Sequence, residues 1–215
     1  MFQIANRSIY NYTKKIQHLE SVHTPYIKIK RFSDVSISLL LFILTAPIIL
    51  IAGIAIRIES KGSMFYRQER VGFMGRPIII IKLRSMYTDA EKNGAQWAKE
   101  EDSRVTKIEA FIRKTRIDEL PQLLNVIRGD MSLIGPRPER PIFTRQFCAE
   151  DFGFERRLVV KPGLSGWAQV NGGYDITPKE KLQLDVEYIR NYGLKMDMQI
   201  FFKTIKVVFN GDGAR

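Results

Sequence analysis

The sequence predicts a mainly helical α+β fold in which one apolar helical segment joins a basic, water-soluble domain. Three observations carry this. A run of 22 uncharged residues, Val35 to Ile56, would reach about 33 Å as a straight helix, enough for a bilayer core. A β-branched run, Ile78 to Ile81, follows a glycine-containing turn, as in a hairpin. Through the second half of the chain, apolar residues recur at helical spacing. The 215 residues, 45% of them hydrophobic, suit one such domain with an appendage.

Residues 1–29 are polar, residues 30–59 hold the apolar segment, and residues 60–215 have the composition of a soluble domain. The polar lead and the lack of a small-residue cleavage pattern argue against a cleaved signal peptide. Pro47 interrupts the apolar run near its middle. Lys28, Lys30 and Arg31 precede the run and Arg57, Lys61, Arg67 and Arg70 follow it, so charge bias does not distinguish its ends. Length favours a kinked spanning helix. The balanced charge equally suits a helix-break-helix hairpin that enters and leaves by one face, with Ser36, Ser38 or Thr45 satisfying carbonyls freed at the proline.

Ser63 to Arg70 reads as a short strand and Val71 to Pro77 as a turn with Gly72 and Gly75. Ile78 to Ile81 returns as the second strand and leads into Lys82 and Arg84. That hairpin delivers two cations, either solvated or in contact with phosphate. Thr88 to Thr106 is polar and reads as helix and surface loop, able to move over a site. Ile108, Phe111 and Ile112 resume a helical pattern, with Arg113, Lys114 and Arg116 just ahead of two carboxylates.

Those carboxylates are Asp118 and Glu119. Leu120, Leu123, Leu124 and Ile127 follow at the spacing of one helix face, and Gly129 reads as the stop. Pro121 costs little in a first turn, so Asp118 reads as the N-cap. An N-cap carboxylate beside three cations stays ionised, which suits a nucleophile, and the same helix start favours a bound phosphate joined through a divalent cation. An ordinary capping Asp would leave the same pattern. Gly135 to Pro138 then fixes Arg137 between Pro136 and Pro138, which limits backbone freedom around a planar phosphate ligand.

Lys161 to Gly173 packs glycines and a proline around Trp167 and Asn171 and reads as a shaped loop rather than a regular element. Lys179 to Arg190 reads as a surface helix. Asp197 to Phe209 reads as a basic, aromatic-rich helix suited to a core or to a bilayer interface.

Charge and composition narrow the function classes. A net charge of +11 calls for an anionic partner: nucleic acid, a membrane surface or a phosphorylated substrate. One cysteine, Cys148, excludes an intrachain disulfide framework, and two histidines make a zinc site a poor fit. Cys148 reads as a packed thiol. There is no Walker loop, no GxGxxG and no Asp-x-Asp motif, so a GT-A-type glycosyltransferase lacks its signature. A membrane-tethered, non-catalytic nucleic-acid binder would explain the charge but has no use for a carboxylate pair at a cation-flanked helix start.

Taken together and in order, KRFSDV, the proline-interrupted apolar run, FYRQERVG, KLRSM, RKTRIDELPQLLNVIRGDMSLIGPRP and KPGLSGWAQVNG resemble the bacterial sugar transferase family, the monotopic phosphoglycosyl transferases. The resemblance covers the chain from about Lys30 to the C-terminus. It implies transfer of a sugar-1-phosphate from a UDP-sugar to polyprenyl (undecaprenyl) phosphate with release of UMP, the initiating step of exopolysaccharide, capsule or related glycan synthesis. Asp118 matches the family nucleophile that forms a phosphosugar intermediate, and Glu119 matches its partner, a general base for the lipid phosphate. Magnesium is the implied cofactor, with Asp118 as its protein ligand. Lys82, Arg84, Arg113 and Arg137 stand as phosphate-binding residues.

The resemblance also favours a re-entrant hairpin broken at Pro47. The soluble domain then lies on the cytoplasmic face of the bacterial inner membrane, against membrane lipid. Interfacial amphipathic helices complete the implied fold. Nucleic acid is not an expected partner, and homo-oligomerisation is compatible with the residues without being specified by them. Gly173-Tyr174 departs from the basic residue many members place nearby, and no residue selects among glucose, galactose, N-acetylgalactosamine and bacillosamine-type donors.

Overall fold

The computed structural model describes residues 20–87, 105–150, 153–172 and 176–210. Most of the polar stretch from Thr88, the tail before Glu20 and the Gly173-Tyr174 departure lie outside these residues. The described part is mainly helical, with two small two-stranded sheets.

Helix α1, Tyr26–Glu59, is a single 34-residue helix that starts one turn before the Lys30 boundary and runs through Pro47 without interruption. The Pro47 ring removes one amide from the helical ladder. Two residues before it, the Thr45 hydroxyl donates to the Leu41 carbonyl at 2.7 Å, a contact that tends to bend helices. Lys30, Asp34, Ser38, Ile49, Gly53 and Ile56 form the buried stripe of α1. Ile43, Leu44, Leu50 and Ile51 are more than half exposed, so the central turns leave a broad apolar surface uncovered.

Strands β1 (Phe65–Val71) and β2 (Pro77–Leu83) pair antiparallel around a tight turn, as the β-branched run predicts. On the inner face of β2, Ile78 and Ile80 pack against Val126 and Met131, and the next inward residue is Lys82. Helix α2 (Lys107–Lys114) begins with a capping box between Thr106 and Glu109. Arg116 then takes a left-handed conformation, φ 57°, and turns the chain into a 3-10 helix, Ile117–Gln122, which runs into α3 (Leu123–Arg128). Gly129, at φ 97°, ends α3 where the sequence placed the stop.

Strand β3 (Ser132–Ile134) pairs parallel with β4 (Gly163–Ser165), which corrects the reading of Lys161 to Gly173 as irregular. The glycines that suggested a loop serve a close backbone crossing. A Cβ on Gly163 would sit 2.1 Å from the Gly135 nitrogen, and one on Gly135 would sit 2.4 Å from the Lys161 carbonyl oxygen. A short helix, α5 (Trp167–Asn171), completes that segment.

Helix α4 (Pro141–Glu150) and a 3-10 turn, Phe154–Val159, enclose a small core in which Cys148 packs with Val71, Phe147, Phe154 and Leu158. Helices α6 (Pro178–Arg190) and α7 (Leu194–Asn210) close the fold. Met196 and Ile200 of α7 join Tyr188, Val159 and Val160 in a second core. The outer face of α7 leaves Leu194, Met198, Phe201, Phe202, Ile205 and Val208 exposed.

Candidate active site

Two anchors place the carboxylates. Asn125, fully buried on α3, grips the edge of β2: its Oδ1 accepts from the Ile81 amide at 3.1 Å and its Nδ2 donates to the Ile79 carbonyl at 2.7 Å. Arg31 of α1 caps the other end of α3, donating to the Val126 and Ile127 carbonyls at 2.6 and 2.8 Å. The 3-10 helix carrying Asp118 and Glu119 is thereby held between α1 and the end of β2.

Asp118 is not the N-cap. Arg116 occupies that position, and Asp118 is the second residue of the 3-10 helix, 8% exposed. Its neighbour Glu119 collects the cations. Lys82 Nζ donates to Glu119 Oε1 at 2.8 Å, and Arg137 reaches the same carboxylate at 2.5 Å and 3.4 Å. Among the described residues no ion pair or hydrogen bond holds the Asp118 carboxyl.

The two acids therefore separate electrostatically. Burial raises Asp118 to about 6, and the Glu119 charge adds to that, against the opposing pull of Lys82, Arg137 and Arg113. This corrects the expectation that capping and nearby cations keep its pKa low. Burial would also raise Glu119, but Arg137 and Lys82, by charge and hydrogen bonds, hold it well below the usual carboxylate range. Neighbouring carboxylates with opposite shifts are arranged for different roles.

A family model described as bacterial sugar transferase matches residues 25–211. The chain belongs to the bacterial sugar transferase family. It is 45% identical over 193 residues to the UDP-N-acetylgalactosamine-undecaprenyl-phosphate N-acetylgalactosaminephosphotransferase of Aeromonas hydrophila, covering 88% of this chain and 46% of the relative. It is 36% identical over 182 residues to the UDP-glucose:undecaprenyl-phosphate glucose-1-phosphate transferase of Escherichia coli (strain K12), covering 82% and 39%. With the protein of that same name from Caulobacter vibrioides it shares 38% identity over 190 residues, covering 86% and 71%. The chain thus spans less than half the length of the first two relatives and most of the third.

Within this sugar transferase fold, Lys82 and Arg137 meet at Glu119, and Arg113 lies near enough to act on the Asp118 charge. Arg84 does not join them. Beyond the end of β2 its guanidinium donates to the Ser60, Lys61 and Ser63 carbonyls and pairs with buried Glu109, so it fastens the C-terminal end of α1. Pro136 and Pro138 frame Arg137 as expected, and both carbonyls are engaged: Gly163 N donates to Pro136 O at 2.9 Å and Arg70 to Pro138 O at 3.1 Å.

Sequence reasoning missed the support beneath that loop. Arg157, 2% exposed, donates to the Arg137 carbonyl at 2.7 Å and pairs with buried Asp185 at 2.8 Å. Glu139 pairs with Lys181 and lies 3.9 Å from Arg157 and 4.0 Å from Arg70. Against its own burial, Glu139 is held at about 2 by Lys181 and Arg157. Glu139, directly after the Pro-Arg-Pro triplet, was the one visible signal. Arg157 and Asp185 lie too far away in sequence to suggest a pair.

Proposed function

We propose that this chain transfers a sugar-1-phosphate from a UDP-sugar to polyprenyl phosphate, releasing UMP, through a phosphosugar carried on Asp118. The observation that carries the reading is the divided carboxylate pair. A buried acid raised to about 6 and not engaged by a cation is ionised at neutral pH, yet poorly stabilised, as a nucleophile should be. In the first step an Asp118 oxygen attacks the β-phosphorus and the bond to the bridging oxygen breaks, so UMP leaves with the electron pair. In the second, an oxygen of the lipid phosphate attacks the same phosphorus and the Asp118 carboxylate is regenerated.

Lys82 and Arg137 give Glu119 its part. While they hold Glu119 its pKa is low and it is a weak base. When they turn to the donor phosphates, Glu119 loses its cations, its pKa rises, and it can take the proton of the incoming lipid phosphate. Magnesium fits the donor set. Among the described residues there is no cluster of three or more His, Cys, Asp or Glu, so Asp118 would be the main protein ligand, with diphosphate and water completing the shell. Bound there, the ion neutralises charge on the diphosphate.

The reading of the membrane geometry draws on α1. Arg31 and Asp34, near its start, bond to α3 and to the Leu133 amide, while Ser60, at its end, bonds Arg84. Both ends are thus tied to one small domain, although 34 residues in a straight helix would extend about 51 Å. This supports re-entry, with the exposed central turns in the bilayer, the outer face of α7 in the interface, and the domain on the cytoplasmic face of the inner membrane. Cysteines placed at Lys28 and Lys61 should both label from the cytoplasmic side; labelling from opposite sides would establish a spanning helix instead.

The reaction is tested by UMP release from a panel of UDP-sugars with undecaprenyl phosphate and magnesium. Release with one donor, reduced on the order of 10³-fold or more in Asp118→Asn, is expected and names the sugar. Release undiminished in that variant removes Asp118 as nucleophile. Such a reaction suits the start of exopolysaccharide, capsule or related glycan synthesis.

A further inference from the structure

Of the two cations at the end of β2, the dyad uses only Lys82. Arg84, 5% exposed, turns its whole guanidinium to other parts of the chain. Nη2 donates to the Ser60 carbonyl at 2.8 Å, the Ser60 hydroxyl at 2.5 Å and the Ile56 carbonyl at 3.3 Å. Nη1 donates to the Ser63 and Lys61 carbonyls at 3.0 and 3.1 Å, and Nε reaches the Glu109 carboxylate at 3.3 Å. Carbonyls at a helix C-terminus lack intrahelical partners, and a cation there also meets the negative end of the helix dipole. Arg84 therefore caps α1 from the domain, as Arg31 caps α3 from α1.

The dyad keeps its own shape without that cap. Lys82 pairs with Glu119, and Asn125 grips the β2 edge from α3. What Arg84 fixes is the place of this body against α1. Ile49 and Ile56 of α1 pack with Leu83, Ile112, Ile117 and Leu120, but apolar contact is non-directional and sets no register alone. A guanidinium fork does set one, because its donors are fixed in a plane. Arg84 lies two residues beyond Lys82, roughly 7 Å along the strand, and its amide extends the pairing with β1 by donating to the Met64 carbonyl at 2.8 Å. Fully buried Glu109 adds α2, which carries Arg113 one turn further on. One side chain thus ties the end of α1 to the segments that bear Lys82 and Arg113.

We infer that Arg84 is a positioning residue that sets the height of the dyad above the bilayer, and so serves the lipid half of the reaction; the role rests on the reaction and the re-entrant geometry proposed above. The uncharged run of α1 ends at Ile56 and Arg57 follows, so the carbonyls that Arg84 holds stand where the chain leaves its apolar stretch. A soluble donor reaches Asp118 wherever the dyad stands. The phosphate of a lipid acceptor is held at the bilayer surface by its own chain. Only the second step therefore depends on the distance between dyad and bilayer, and a misplacement of about 1 Å can cost on the order of 10²-fold in rate.

The test separates the two steps in the full chain in nanodiscs. Arg84→Met is combined with Glu109→Gln, so that no buried carboxylate is left without its cation; Arg84→Lys, which keeps the charge but loses the fork, is the milder variant. The single-turnover burst of UMP without acceptor should match wild type in both. Turnover with undecaprenyl phosphate in the nanodisc should fall by roughly 10²-fold in the double variant and less in Arg84→Lys. A short-chain prenyl phosphate that dissolves as a monomer should be used by the double variant and wild type alike. Burst and both turnovers falling together would mean that Arg84 merely holds the fold, and a double variant equal to wild type in all three would show no role; either overturns the inference. A fluorophore on a cysteine at Arg67 of β1, quenched by a nitroxide lipid, reads the height without chemistry. Changed quenching in the double variant supports the inference even where wild type gives no UMP burst and the reaction itself fails; unchanged quenching overturns it.

Discussion

Two buried charge clusters lie a few residues apart along the Pro-Arg-Pro segment, and they solve the cost of burial differently. Beneath the loop, Glu139 is matched by Lys181, Arg157 and Arg70, and Asp185 by Arg157. Above it, Glu119 takes Lys82 and Arg137, and Asp118 pairs with neither. The lower cluster holds a shape. In the upper one a carboxylate is kept ionised at the margin, which is costly for folding and, in the reaction proposed above, useful for attack on phosphorus.

The largest stability effect should come from the lower cluster. Arg157→Met removes the cation shared by Asp185, Glu139 and the Arg137 carbonyl, and breaking such a buried pair costs about 3–5 kcal/mol. Thermal unfolding should fall by roughly 10 °C. A variant that melts like wild type would mean that the lower cluster contributes little to folding.

In the upper cluster the sign should reverse. Asp118 is raised in the folded state, so its ionised form opposes folding at neutral pH, by on the order of 3 kcal/mol. That cost is full above about 6 and disappears as pH falls below the ordinary carboxylate range, where the group is protonated folded or unfolded. Asp118→Asn should therefore melt several degrees higher than wild type at pH 7.5, with the difference fading towards pH 4. Equal melting at both pH values would show that Asp118 is not strained by burial. The same raised pKa predicts that kcat/KM falls tenfold per pH unit below about 6, as the proposed nucleophile is protonated.

Arg137→Lys should have a smaller effect. It keeps the charge but loses the planar fork that reaches Glu119 at 2.5 and 3.4 Å, so KM for the donor should rise about tenfold with the melting temperature little changed. A change in melting temperature without one in KM would move Arg137 into the structural cluster.

The contrast between clusters also shows what a sequence exposes. The hairpin was legible because four β-branched residues and a glycine turn are local signals, and Gly129 was legible because only a left-handed residue ends α3 there. Lys82, Arg137 and the dyad could be assembled by resemblance. The Asp118 position could not be read from pattern, because a left-handed Arg116 resets the start of the turn. Arg84 was misplaced because the sequence shows it two residues after Lys82, not that β2 ends between them. The lower cluster joins Glu139, Arg157 and Asp185 across 46 positions, and no local spacing announces such a pairing.

The most direct test of Asp118 as the nucleophile is to trap what it carries. The chain is incubated with a UDP-sugar labelled in the β-phosphate, without lipid acceptor, and the label is located by peptide mass spectrometry. Labelled phosphosugar on the peptide containing Asp118, absent in Asp118→Asn and retained in Glu119→Gln, is the expected result. Label attached elsewhere, or full turnover with no covalent label at any time point, would contradict a phosphosugar carried on Asp118.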